Sequence, residues 1–132
     1  MAIKIQGSTI IDDNRSLVAY RESVTFANTV SGSFTINLAN SNAFDLTLTA
    51  NTTLSFSNPA SAGIMQSATI ILRQGNTNEN VVTWPASVKW SFDEEPVLVS
   101  GSTGAYDVIT VFTVDGGNTF SGAHALASVN VT

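Results

Sequence analysis

Apolar and polar residues alternate with a period of two through much of this chain. Phe34, Ile36 and Leu38 share one face of 33–38. Phe44, Leu46 and Leu48 repeat the pattern, with Asp45, Thr47 and Thr49 between them, and Leu54 and Phe56 continue it. From Tyr106 onward, Val108, Phe112 and Val114 fall on one face, with Thr110 or its neighbours between them. Asp115-Gly116-Gly117-Asn118 then reverses the chain, and Thr119-Phe120-Ser121 begins the return. Period-two alternation is the signature of a half-buried strand, and a Gly-rich reversal between two such runs marks a hairpin. Ile70-Ile71-Leu72, inside 67–74, suits a strand buried on both faces.

Shorter strands are expected at Val24-Thr25-Phe26, at Val81 to Trp84 where Pro85 stops it, at Val88 to Trp90, at Val97 to Val99, and near the end of 123–132. About 8–10 short antiparallel strands with turns every ~8–12 residues predict an all-β fold, a single-domain β-sandwich or jelly-roll-like structure without helices. Residues 1–22 depart from this rhythm. Ile3-Lys4-Ile5 suits a short strand, but Gly7, Asp12-Asp13-Asn14 and Arg15 interrupt any pattern after it. The expected organisation is an N-terminal docking arm over 1–22 and a β-domain over 23–132. Ile3, Ile5, Arg15 and Arg21 are the arm's candidate contact residues.

With 132 residues the chain has room for one core. Its charged fraction of 11% is under half of the usual ~25%. Ser, Thr and Asn take the place of charge, so copies of this surface repel each other little when they meet. The net charge is −5, and the basic residues Lys4, Arg15, Arg21, Arg73 and Lys89 are scattered. No basic stripe exists to neutralise phosphates, so neither nucleic acid nor an anionic membrane is an expected partner. The absence of cysteine excludes disulfides and thiolate metal sites. The opening MAIKIQG lacks the apolar stretch of a secretory signal, which predicts synthesis in a cytoplasm.

Candidate chemistry is sparse. His124 is the single histidine and is expected at the surface or an interface. A hydrolytic triad would require it beside a nucleophile and a carboxylate. Asp93-Glu94-Glu95 before Pro96 has the form of a solvated loop. Asp12, Asp13 and Asp115 lack the spacing of a calcium loop. No catalytic residue, cofactor or metal site is expected, and the chain is not expected to be an enzyme. Trp84 and Trp90 flank a turn at Pro85. Two such rings serve as core or subunit-contact anchors, or as a platform on which sugars stack.

Taken in order, FDLTLTANTTLSFSNPASAG (44–63), ATIILRQG (68–75), VVTWPASVKW (81–90) and YDVITVFTVDGGNTFSGAHA (106–125) form a recognisable pattern. Together they resemble a β-rich domain of tailed-bacteriophage virion structural proteins. The opening AIKIQGSTIIDDNRSL (2–17) is similar to a short motif that begins many phage tail-fibre and appendage proteins. TWPASVKW is the most specific segment, and Phe120 stands where many relatives carry Trp. The resemblance implies a non-enzymatic virion component at the particle surface that assembles as a homotrimer and contacts the major capsid protein or other virion proteins. A capsid decoration (cement) protein is the expected role. The alternative is a tail-fibre, tail-appendage or receptor-binding protein that contacts host glycans. Trp84 and Trp90 are the expected subunit-contact residues of the β-domain.

Overall fold

A computed structural model describes residues 3–11, 14, 16–17, 20–99 and 102–128. The chain is all-β and sandwich-like, with no α-helix among the described residues. Two short strands, β1 (Ile3–Ile5) and β2 (Ser8–Ile11), pair antiparallel as a separate two-stranded sheet. The remaining strands form one seven-stranded sheet: β3 (Val24–Asn37), β4 (Ala43–Ser57), β5 (Gln66–Gln74), β6 (Val82–Thr83), β7 (Val88–Trp90), β8 (Tyr106–Thr113) and β9 (Phe120–Ser128). The spatial order is β3-β4-β5-β8-β9-β7, with β6 paired to β4.

Strand direction departs from the antiparallel expectation. β4 runs parallel to β3, β5 and β6, and β7 runs parallel to β9; only β5–β8 and β8–β9 are antiparallel in this sheet. Alternation tells which face a residue takes, but it is silent on direction, which the connections decide. The parallel β3–β4 pair has an unusual connection. A straight strand of 14 residues would extend ~45 Å, whereas residues 38–42 reach at most ~20 Å. The chain therefore regains the start of β4 only because β3 doubles back on itself. The bend falls where the ladder loses register between Ala27 and Gly32, and Gly32 adopts φ 67° there. A Cβ-bearing residue is disfavoured in that left-handed conformation.

β4 bends at the same place. Its pairing with β3 jumps from Leu48 to Thr52, β5 pairs only with 43–48, and β6 only with Thr52 and Thr53. Each long strand thus crosses from one layer to the other, and each circuit stacks on the last. Thr35 Oγ1 bonds Ser55 Oγ at 2.9 Å across a sequence separation of 20. The core lies between the layers. Leu46, Leu48, Ile70, Leu72 and Ile109 meet Ile36, Leu54 and Val82 in one buried cluster. Phe34 and Phe56 pack against it.

Three local expectations change. The short runs at 24–26 and 33–38 belong to one bent strand, as do those at 44–48 and 54–56. Val97 to Val99 is not a strand. Side chains hold its backbone instead: Val99 N–H donates to Asp107 Oδ2 at 2.9 Å, and Gln74 Nε2 donates to Val99 O at 3.0 Å. Finally, β8 is a strand in the opposite phase. Ile109 and Val111 are buried, while Phe112 is 40% exposed and Val114 lies outward. Counting apolar residues favours the wrong face, because the inward face carries Asp107 and Thr113 at its two ends. Both are satisfied there. Asp107 accepts from Val99, and Thr113 Oγ1 accepts from Gly117 N–H at 3.1 Å while donating to Asp115 Oδ1 at 2.9 Å. A one-residue shift in phase exchanges every side chain between core and solvent.

The β4–β5 ladder also carries an ion pair. Arg73 grips Asp45 with Nε and Nη2, at 2.7 and 2.8 Å, and stacks over Tyr106. The hydrogen bond to Asp45 raises the Arg73 pKa against partial desolvation. Arg73→Met should destabilise the fold by about 1–3 kcal/mol, because it leaves a buried carboxylate without its partner; a urea melt reads this directly. Asp115 provides a pH test. The hydrogen bond from Thr119 N–H, with help from Thr113, holds its carboxyl below the ordinary 3.8. A depressed folded-state pKa stabilises above 3.8, and the benefit fades as pH falls through the lowered value. The gap in urea midpoint between the parent chain and Asp115→Asn should stay constant above about pH 5 and shrink in stronger acid.

Candidate functional site

The 81–90 segment meets the return strand of the 106–125 hairpin where β7 pairs β9, Val88 to Trp90 lying beside Phe120 to Gly122. Pro85 O accepts from Val88 N–H at 2.9 Å, turning the chain between Trp84 and β7. Trp84 is 7% exposed and lies in the core. Its ring meets Trp90 edge-on, with centroids 5.1 Å apart at 73°. The expected subunit-contact role therefore does not suit Trp84, whose ring is already covered by its own chain. Trp90, half-buried, lies over Gly122, where an added Cβ would sit 2.5 Å from the Trp90 ring. The Asp115–Asn118 turn is knit by its own polar groups, with Asn118 Nδ2 donating to Asp115 O at 2.9 Å. Gly117 adopts φ 83° there, and Phe120 stacks on Phe56 with centroids 4.6 Å apart.

Beyond Trp90 the chain makes a short 3-10 turn over Ser91–Asp93, in which Phe92 (φ 59°) and Asp93 (φ 57°) are both left-handed. For residues other than glycine this costs about 1 kcal/mol or more each. The turn holds the Phe92 side chain 96% exposed. Phe92 and Trp90 line a cleft of about 470 Å³ together with Ser91, Glu94, Glu95 and His124. A second cleft, of about 310 Å³, lies on the other side of the 95–98 segment, against Glu79 and Val81.

His124 is better engaged than the sequence suggests. Its Nε2 lies 2.7 Å from Oδ1 of Asp107, a carboxylate that is 1% exposed. The other oxygen, Oδ2, accepts from Val99 N–H. This contact sets the orientation of the imidazole ring. The pair forms across the β8–β9 ladder at a register shift between Val108 and Ile109. Alternation counted from Val108, Phe112 and Val114 hides the pair, because it puts Asp107 on the opposite, outward face; an acidic residue in phase with Ile109 and Val111 is the signal that marks it. In a hydrolytic triad the acid holds Nδ1 and leaves Nε2 for the nucleophile, whereas here Asp107 takes Nε2. The hydrogen bonding ties His124 to Asp107, not to Ser91, the hydroxyl in the same cleft. The arrangement positions a ring for contact.

The other expected site residues lie elsewhere. Ile3 and Ile5 belong to β1, next to the left-handed Gln6-Gly7 turn. Arg21 is exposed in the stretch before β3, and Arg15 lies outside the described residues. Asp115 is committed to its turn, while Asp12 and Asp13 also lie outside the described residues.

The Trp90–Gly122 contact is testable. Gly122→Ala should drive the Trp90 ring off the sheet, lowering stability by about 1–3 kcal/mol and shifting tryptophan emission to the red. No protein-family model, curated protein or solved structure matches the chain.

Proposed function

We propose that this chain is a non-enzymatic structural protein of a tailed-bacteriophage particle. It works by association with copies of itself and with the shell, as a capsid decoration protein at the virion surface. The observation that carries the reading is the outer strand β3, at the edge of the seven-stranded sheet. Over Val24–Asn37 it contains no charged residue, and Phe26 is 67% exposed on it. Natural edge strands are commonly guarded by charge or proline against pairing with other chains. An unguarded edge suits a protein whose working state is an assembly. The low overall charge and the sequence resemblance support the same reading.

A second reading, a tail-fibre or receptor-binding role, is favoured by a different observation: the cleft carrying Trp90 and the exposed Phe92. Copy number separates the two. Quantitative mass spectrometry of purified particles should find this chain at a level comparable to the major capsid protein. A level far below it favours the fibre. Native mass spectrometry of the isolated protein should show a homotrimer, and a monomer at micromolar concentration counts against self-association. Deletion of residues 1–22 should abolish particle binding while leaving the β-type circular dichroism intact. Retained decoration by the truncated chain removes the docking role from the arm.

A further inference from the structure

We infer that the cleft between the 91–97 loop and the start of β9 binds a neutral sugar, with Phe92 and Trp90 as its stacking surfaces. The inference gives a ligand and a place to the receptor-binding reading above, and rests on it.

Phe92 is the starting point. A phenyl ring left in water forgoes the free energy of burial, and two successive left-handed residues hold it there. Such strain persists where the surrounding structure enforces it, and it clusters at ligand-contact sites. Trp90 contributes the second ring from firm ground, backed by Gly122 and edged by Trp84. The two rings share a cleft of about 470 Å³, within the ~300–1,000 Å³ range of small-molecule sites.

The polar lining narrows the ligand. Ser91 brings a hydroxyl, Glu94 and Glu95 bring carboxylates, and His124 brings an imidazole whose orientation Asp107 has already set. Preset polar groups lose little freedom on binding. A pyranose matches this set. Its C–H face is flat and apolar and lies on an aromatic ring, while its rim of hydroxyls donates to carboxylates and accepts from a hydroxyl. Among the described residues, no lysine or arginine lines the cleft. Sialic acids, uronic acids and sugar phosphates would meet Glu94 and Glu95 with no cation to offset the repulsion. An alkylammonium would use the rings and carboxylates but leave the Ser91 donor idle.

The test is a chemical-shift titration of the full-length ¹⁵N-labelled chain with glucose, galactose, mannose and N-acetylglucosamine. N-acetylneuraminic acid and tetramethylammonium chloride serve as charged probes. At least one neutral sugar should move the Trp90 indole N–H and the amides of residues 91–95 and 122–124, with N-acetylneuraminic acid inert. Phe92→Ala should weaken the interaction about tenfold. Because that side chain is exposed, the variant's spectrum should otherwise overlay the parent's. Silence of these resonances with all four sugars overturns the inference, as does a response to tetramethylammonium alone, which would mark a cation site. Equal affinity in Phe92→Ala also overturns it. Host adhesion by whole particles is a separate measurement: if it survives while the titration is silent, the receptor-binding reading stands and uses another surface.

Discussion

The whole architecture depends on the doubling-back of β3 and β4. A parallel pair ordinarily needs a long crossover, commonly a helix, to bring the chain back to the starting edge. Here the crossover is the second half of the strand itself, bent across the core into the facing layer. That bend makes the sandwich: Leu46 and Leu48 lie in one layer and Leu54 in the other, all on the same strand, and all are buried. It also makes the ladder continuous across the corner, so the layers are joined covalently and by hydrogen bonds from one circuit to the next. Gly75 shows how close the stacking is at this corner, since a Cβ there would sit 2.8 Å from Leu48 O.

Polar side chains secure the places where ladders end. Gln74 and Asn80 are buried and bond each other, Nδ2 of Asn80 donating to Gln74 Oε1 at 2.9 Å. Asn80 also donates to Leu48 O at 3.1 Å, and Gln74 to Val99 O. Three stretches distant in sequence are thereby tied to one corner of the sandwich. Because the groups are buried, each bond left unmade would cost about 1–3 kcal/mol. Asp107 extends the same network: one oxygen holds Val99, and the other reaches His124 at the cleft. The orientation of the imidazole is therefore coupled to the path of the 97–99 segment, whose Val97 lines both clefts.

Two clusters of close packing tie down the 81–90 segment and the Asp115–Asn118 turn. Trp84, Trp90 and Gly122 pack as one group. Pro59, Gly117, Phe120 and Phe56 form another, with Pro59 Cγ 2.7 Å from where a Gly117 Cβ would stand. These residues interlock two turns and two strand ends. Phe92 and His124 lie outside both clusters and line the cleft beside Trp90.

Much of the fold was legible along the chain. Phe44, Leu46, Leu48, Leu54, Ile70 and Leu72 are the core that alternation picks out, and the Asp115–Asn118 reversal stands where glycines and Asn place it. These features are local, governed by period-two geometry and turn chemistry. The candidate cleft was legible only in Trp90, because its other members gain meaning from neighbours far away in the chain. What the sequence alone determined is an all-β chain with a specific set of inward residues, since burial period and turn residues act over a few positions. Strand direction, the phase of β8 and the pairing of Asp107 with His124 were decided by tertiary structure. Each depends on which distant backbone satisfies a group: a short connection forces β3 to bend, and partners at Val99 and His124 allow an aspartate to face the core.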